Sequence, residues 1–224
     1  MESTEHIVKI LSISPVTHDV KCIRLQKPSG YTFIPGQATE VSVNVDGWRD
    51  EKRPFTFTCL NDDPYLEFTI KGYPEHHGVT GKIHSLAEGD ELIIRDVWGA
   101  IAYKGPGYFI AGGAGITPFI AILRQLYDHH KLQGSRLFFS NKTEDDIIYR
   151  DELRAMLGDD AVFIITDEET VIYEQARIDE AFLKKHVDDF SKHFYVCGPD
   201  KMIADINETL QKLHAKADNV VFEK

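Results

Sequence analysis

Ala111-Gly112-Gly113-Ala114-Gly115-Ile116-Thr117-Pro118 is the stretch on which the fold of this chain turns. The apolar run Tyr108–Ala111 before it reads as a buried strand, and Pro118–His129 after it carries helical periodicity. Glycines let a backbone turn tightly and approach a ligand where a Cβ would clash. Thr117 suits the N-cap of the following helix and Pro118 its first position. A helix starting there aims free N–H groups and its positive dipole end at the loop, an arrangement suited to a pyrophosphate. The spacing differs from the G-x-G-x-x-G of ordinary dinucleotide-binding folds.

Downstream of this loop, strands and helices alternate. Strands are expected at Tyr108–Ala111, Arg136–Ser140, Ala161–Thr166, His193–Cys197 and Val220–Phe222, with helices near Pro118–His129, Arg150–Leu157, Ile178–His186 and Asp200–Ala215. This alternation implies a doubly wound α/β unit with a parallel sheet. Cys197-Gly198-Pro199 ends the fourth strand, so it shares the carboxyl edge of the sheet with the glycine loop, where open α/β folds bind ligands.

Upstream of Gly105-Pro106-Gly107 the rhythm is different. His6–Ile13, Asp19–Leu25, Thr39–Val45, Arg53–Thr58, Tyr65–Lys71 and Glu91–Asp96 are short and rich in Val, Ile, Thr and Phe. Turn residues separate them, among them Pro28-Ser29-Gly30, Asp46-Gly47 and Glu88-Gly89-Asp90. A closed or nearly closed antiparallel β-barrel is expected, interrupted by a short helix around Thr80–Leu86. The boundary falls near Lys104, giving a barrel domain over 1–104 and an α/β domain over 105–224.

Composition narrows the function classes. The 224 residues are 42% hydrophobic and 27% charged, ordinary for a globular protein. A formal net charge of −11 disfavours nucleic acid and anionic membrane as partners. No stretch approaches the run of about 20 apolar residues of a membrane helix. The acidic start Met1–Glu5 lacks the basic and apolar regions of a secretory signal, so a cytoplasmic location is expected. Cys22, Cys59 and Cys197 are too widely spaced for a disulfide framework or a cluster, and the pairs His76-His77 and His129-His130 lack metal-ligand spacing. No metal is assigned.

With these residues in view, the chain resembles the ferredoxin–NADP⁺ reductase superfamily. Gly112–Pro118, followed about eighty residues later by Cys197-Gly198-Pro199-Asp200-Lys201-Met202, looks like its nicotinamide half. In the barrel half, Phe33-Ile34-Pro35-Gly36-Gln37 resembles a turn of the family, and Arg53-Pro54-Phe55-Thr56 resembles its flavin motif Arg-x-Tyr-Ser/Thr with Phe in place of Tyr. Ile70-Lys71-Gly72-Tyr73 and Gly78-Val79-Thr80 fall where further flavin segments occur. The match spans nearly the whole chain, in the family's order.

The resemblance implies FAD in the barrel, a nicotinamide dinucleotide in the α/β domain, and hydride transfer from nicotinamide C4 to flavin N5. Arg53 would face the FAD pyrophosphate, Phe55 would pack on the isoalloxazine, and Thr56 would bond near N5. Gly78, Val79 and Thr80 would receive phosphate at a helix start, with Ile70, Lys71 and Tyr73 along the flavin. Gly112, Gly113, Gly115, Thr117, Pro118, Gly198 and Pro199 would hold the dinucleotide, and Cys197 would lie beside the nicotinamide. Thr56, Cys197 and Glu223 are the residues implied nearest the chemistry. Many relatives follow the Glu with an aromatic that covers the flavin; here Lys224 follows, and easier nicotinamide access is expected.

Thr166-Asp167-Glu168-Glu169, after the third parallel strand, lies in the family near the adenosine ribose. Carboxylates there would repel a 2′-phosphate, so NADH is favoured over NADPH, with Asp167 as the ribose ligand. Ser140–Asp146 is also similar to the NADH-using cytochrome reductases, while Lys142 argues for phosphate. The acceptor is open: flavodoxin, ferredoxin, an oxygenase component, free flavin or a quinone all fit. So do a flavin reductase that binds flavin as a substrate and an electron-relay subunit of a larger complex.

Overall fold

The computed structural model describes residues 4–73, 75, 78–99, 101–215 and, as backbone, 220–222. The chain divides into two compact units, Met1–Gly99 and Ala100–Lys224.

The first unit is built from β1 (His6–Pro15), β2 (Val20–Gln26), β3 (Ala38–Val43), β4 (Arg53–Thr56), β5 (Tyr65–Lys71), α1 (Val79–His84) and β6 (Glu91–Trp98). Its strands form one antiparallel sheet in the order β4-β3-β6-β1-β2-β5. Period-two alternation drives the pairing: Val8 and Ile10 of β1 are buried while Ile7, Lys9 and Leu11 face outward. Bulges between Ile10 and Ser12 and between Thr39 and Val41 bend the sheet around a core of Ile23, Leu25, Val41, Phe57, Phe68 and Ile94. Val79 and Ile83 of α1 plug into the same core.

The sheet is barrel-like but not closed. Its edge strands meet through the single bridge Phe57–Phe68, extended by the Thr58 N–H donating to the Glu67 carbonyl at 2.9 Å. Strand β4 stops at Thr56, two residues short of the expected Thr58, and contains Pro54, which has no N–H to give a ladder. Side chains complete the seam: buried Glu67 accepts from the Thr58 hydroxyl at 3.0 Å and from Arg24 Nε at 3.0 Å. The Glu67 N–H points at Cys59 Sγ, 3.1 Å away, and burial pushes that thiol up to about 12.

The second unit contains β7 (Gly107–Gly112), a 3₁₀ turn (Gly113–Ile116), α2 (Thr117–Asp128), β8 (Arg136–Asn141), α3 (Arg150–Leu157), β9 (Ala161–Ile165), β10 (Glu174–Gln175), α4 (Glu180–His186), β11 (His193–Cys197), α5 (Asp200–Lys212) and β12 (Val220–Phe222). All strand pairs are parallel, in the order β10-β9-β8-β7-β11-β12. The chain steps outward from β7 through β8 and β9, then returns to lay β11 on the other side of β7. That reversal creates a topological switch point between β7 and β11. Strand β7 is buried along its whole length, as a central parallel strand must be.

Strand β10 was not anticipated. Glu174 holds it to α4, 2.6 Å from Lys185 Nζ and 2.8 Å from His186 Nε2. The helix expected from Ile178 starts at Glu180, because the Asp179 carboxylate caps it by accepting the Phe182 N–H at 2.9 Å. The Tyr195 hydroxyl of β11 accepts the N–H groups of Lys104 and Gly105 at 2.9 and 3.0 Å and donates to the Gly105 carbonyl at 2.8 Å. This one buried phenol fastens the segment entering β7.

Candidate functional site

The register of the parallel sheet aligns the ends of β7 and β11, with Ala111 opposite Cys197. The glycines then let the two following loops touch backbone to backbone. A Cβ on Gly115 would lie 2.5 Å from the Cys197 carbonyl oxygen and 2.6 Å from the Gly198 Cα. One on Gly112 would lie 2.4 Å from Met202 Sδ and 3.0 Å from Pro199 Cδ. Gly113 meets no such neighbour; its φ of +52° is what excludes larger residues. Cys197 is buried, Gly198 is half-buried, and Pro199 is exposed at the cap of α5.

Thr117 is not the helix cap. Winding begins four residues earlier, in the 3₁₀ turn Gly113–Ile116, so Ile116 occupies the cap position and Thr117 is the first residue of α2. Its hydroxyl donates instead to the Ala114 carbonyl at 3.0 Å. Pro118 is therefore the second residue of α2 rather than the expected first, still within the first turn. The first N–H groups of the combined turn and helix have no acceptors within it and open onto the loop. The starts of α2 and α5 flank the switch point, and their positive ends favour an anion there.

The carboxyl ends of β8 and β9 form an acidic rim. The Asp167 N–H donates to the Lys142 carbonyl at 2.9 Å, leaving the Asp167 side chain exposed, as Lys142 also is. The Glu168 carboxylate accepts the Glu144 N–H at 2.9 Å, which joins the two loops. Glu144 Oε1 in turn accepts from Arg150 Nη1 at 2.6 Å and from the Tyr173 hydroxyl at 2.9 Å. Hydrogen bonding to Asp151 and then to Tyr173 raises the Arg150 pKa further above its already high value. Arg150 follows Tyr149, a left-handed residue whose ring lies 5.1 Å beneath the Arg124 guanidinium. Sequence reading missed the Glu144–Arg150–Tyr173 group, because its members meet only when both loops are folded.

In the first unit the implied flavin residues lie on β4 and around the end of β5. Arg53 and Pro54 are exposed, and Arg53 Nη1 donates to the Lys52 carbonyl at 2.7 Å. Phe55 is half-buried with its ring 6.2 Å from that of Phe68, and Thr56 is buried opposite Ala38. Ile70 turns its side chain into the core, and Lys71 pairs with Asp19 at 2.8 Å. Tyr73 is exposed, Gly78 precedes α1 in an extended conformation, Val79 is in the core and Thr80 is half-buried.

His84, which the sequence did not single out, ties these segments together. Its ring packs on Gly72, where a Cβ would lie 2.6 Å from Nδ1, and its Nε2 lies 2.8 Å from the Ile70 carbonyl. Lys21 Nζ donates to the His84 carbonyl at 2.9 Å. Burial pulls the imidazole pKa below its usual value, and the bond to Ile70 only partly opposes this. The signal that could have found it is Gly72, a glycine ending a strand, which marks close approach by another group. Glu223 lies outside the described residues.

Comparison with known proteins agrees with this architecture. Residues 109–208 match the oxidoreductase NAD-binding domain family. The chain is 27% identical over 239 residues to the reductase component of propane 2-monooxygenase from Rhodococcus jostii, covering 96% of this chain and 62% of that protein. It is 29% identical over 224 residues to NADH-cytochrome b5 reductase 2 from Mycosarcoma maydis, covering 87% and 62%. The chain thus spans less than two thirds of the length of these curated relatives. A ferredoxin NADP⁺ reductase from Neisseria gonorrhoeae, solved with bound FAD and NADP, shares the fold with a TM-score of 0.85 at 19% identity, covering 99% of both chains. The cytochrome b5 reductase domain of Ulva prolifera nitrate reductase does so with a TM-score of 0.83 at 19% identity, covering 98% and 97%. Among the described residues no helix is long and apolar enough to cross a membrane. The chain thus shares the fold of these two solved structures, and its residues 109–208 carry the match to the oxidoreductase NAD-binding domain family.

Proposed function

We propose that this chain is an FAD-dependent NAD(P)H oxidoreductase that prefers NADH and passes electrons onward to a carrier protein or an oxygenase component. The observation that carries the reading is the packing of Gly112 and Gly115 against Cys197–Met202 at the β7–β11 switch point. Those glycines keep side chains out of a loop flanked by two helix starts, which fits a dinucleotide pyrophosphate. Flavin and nicotinamide supply the hydride chemistry between N5 and C4.

The chain's residues bind and orient. Gly112, Gly113, Gly115, Thr117 and Pro118 shape the anion cradle, with Gly198 and Pro199 on its other wall, and Cys197 packs beside the nicotinamide. It serves as a small wall residue rather than a nucleophile. Arg53 offers a planar, permanently charged fork to the FAD pyrophosphate. Phe55 gives the isoalloxazine an apolar face, and the Thr56 hydroxyl is the hydrogen-bonding group nearest N5. Ile70, Lys71 and Tyr73 border the flavin, and Gly78, Val79 and Thr80 receive its phosphate. The exposed Asp167 carboxylate accepts from a free ribose 2′-hydroxyl and repels a 2′-phosphate, which favours NADH. The names of the relatives, a monooxygenase reductase component and an NADH-cytochrome b5 reductase, support an acceptor that is itself a protein.

The test is an anaerobic absorbance titration of the FAD-loaded protein with NADH and then NADPH. Flavin bleaching that is faster with NADH is expected. Faster bleaching with NADPH overturns the role of Asp167. A protein that oxidises NADH only when free flavin is supplied is a flavin reductase. A protein that neither binds flavin nor oxidises NADH would sink the proposal.

A further inference from the structure

The loops leaving β8 and β9 carry Glu144, Asp145, Asp146, Asp167, Glu168 and Glu169, against the cations Lys142 and Arg150. Repulsion by exposed carboxylates acts through water and is screened within about 10 Å at 0.1 M salt. The arginine is a different matter. A guanidinium is the side chain best matched to a phosphate, and this one stands at the rim. Two of its three nitrogens are engaged: Nη1 donates to Glu144 at 2.6 Å and Nε to Asp151 at 2.9 Å. The same Glu144 oxygen holds the Tyr173 hydroxyl at 2.9 Å, and the Glu144 N–H holds Glu168 at 2.9 Å. Arg150 is thereby linked through Glu144 to the Thr166–Glu169 loop, beside which the adenosine ribose is proposed to lie.

We infer that Glu144 sets the nucleotide preference by sequestering Arg150, a latent ligand for a ribose 2′-phosphate. The inference rests on the nucleotide reading of this edge given above and extends it to a residue that never touches the nucleotide. A 2′-phosphate gripped by both Nη1 and Nη2 of Arg150 must displace the Glu144 carboxylate from Nη1 and then remain beside it and Glu168. Neutralising Glu144 removes both obstacles while leaving Asp167 in place. Glu144 is a positioning residue, and its effect falls on the 2′ group alone.

The test measures binding to the full chain, by calorimetry, of adenosine 5′-phosphate and adenosine 2′,5′-bisphosphate. The wild type is expected to bind the 5′-phosphate more tightly. Glu144→Gln should tighten the bisphosphate about tenfold, which is about 1.4 kcal/mol, while leaving the 5′-phosphate within about threefold. Combining it with Arg150→Met should abolish the gain, and Arg150→Met alone should leave the wild-type ratio unchanged. Glu144→Asp, whose shorter side chain draws back from Arg150, carries the same expectation should the Gln variant fold poorly. An unchanged ratio in both Glu144 variants overturns the inference. So does a gain that survives Arg150→Met, or a loss of bisphosphate binding in Arg150→Met alone. A wild type that binds neither nucleotide brings down the nucleotide reading itself, an outcome distinct from the others.

Discussion

Gly115→Ala is the sharpest perturbation of the switch point. The added methyl would lie 2.5 Å from the Cys197 carbonyl oxygen and 2.6 Å from the Cys197 carbonyl carbon and the Gly198 Cα. All three are backbone atoms, so no flexible side chain can move aside. Restoring ordinary contact at about 3.5 Å requires the two loops to part by about 1 Å. Overpacking of this kind costs about 1–3 kcal/mol of stability. A displacement of about 1 Å in a positioning element costs about 10²-fold in rate. NADH-dependent flavin reduction, followed by anaerobic stopped-flow absorbance, should therefore slow by about two orders of magnitude.

Gly158→Ala separates this effect from simple destabilisation. Gly158 ends α3 at a φ of +58° with nothing near its missing Cβ. Its replacement should cost about 1–2 kcal/mol through backbone strain and leave reduction at the wild-type rate. A Gly115→Ala protein that reduces flavin as fast as the wild type, or a Gly158→Ala protein that slows equally, would refute the reasoning.

Two further outcomes follow from single side chains. Because burial lowers the His84 pKa, the unfolded chain takes up a proton near the ordinary imidazole value of 6.5 while the folded chain takes it up only at lower pH. The stabilisation is complete above 6.5 and fades as pH falls through that value, so thermal melts of the wild type from pH 8 to 5 should show a decline that His84→Gln reduces. Tyr195→Phe deprives the N–H groups of Lys104 and Gly105 and the Gly105 carbonyl of their partner. Urea unfolding should report a loss of about 2–3 kcal/mol, and a loss below about 0.5 kcal/mol would show that these groups find other partners.

The sequence made the switch point legible because strand register is a consequence of pattern. Once Tyr108–Ala111 and His193–Cys197 are parallel neighbours, Gly112–Gly115 and Gly198 must adjoin at one edge. The 3₁₀ turn at Gly113–Ile116 was hidden, since Thr-Pro is an equally good helix start by itself. The nearly closed first sheet was legible in the alternation of its strands, whereas the point at which the edge strand containing Pro54 stops was not. Strand β10 is two residues long and depends on Glu174 reaching Lys185 and His186, a tertiary contact without local signature. His84 and the Glu144–Arg150–Tyr173 group were invisible for the same reason. Tyr173 lies 29 residues from Glu144 and Ile70 14 from His84, and polar residues on helices and loops are ordinarily solvated.

The pairing of Gly107 with His193 brings together two strands that β8, β9 and β10 separate along the chain. Closing so long a loop carries an entropic cost repaid only by the contacts that follow, which makes the docking of β11 a late event in folding. The proposed nucleotide cradle draws on the ends of those same two strands, so on that proposal a chain with β11 undocked has no site. Nucleotide then stabilises the completed unit alone, by RT ln(1 + [L]/Kd). Its occupancy becomes a check on assembly, and its withdrawal should expose first the edge strand β12, which pairs only with β11, and the helix α5 between them to local unfolding and proteolysis.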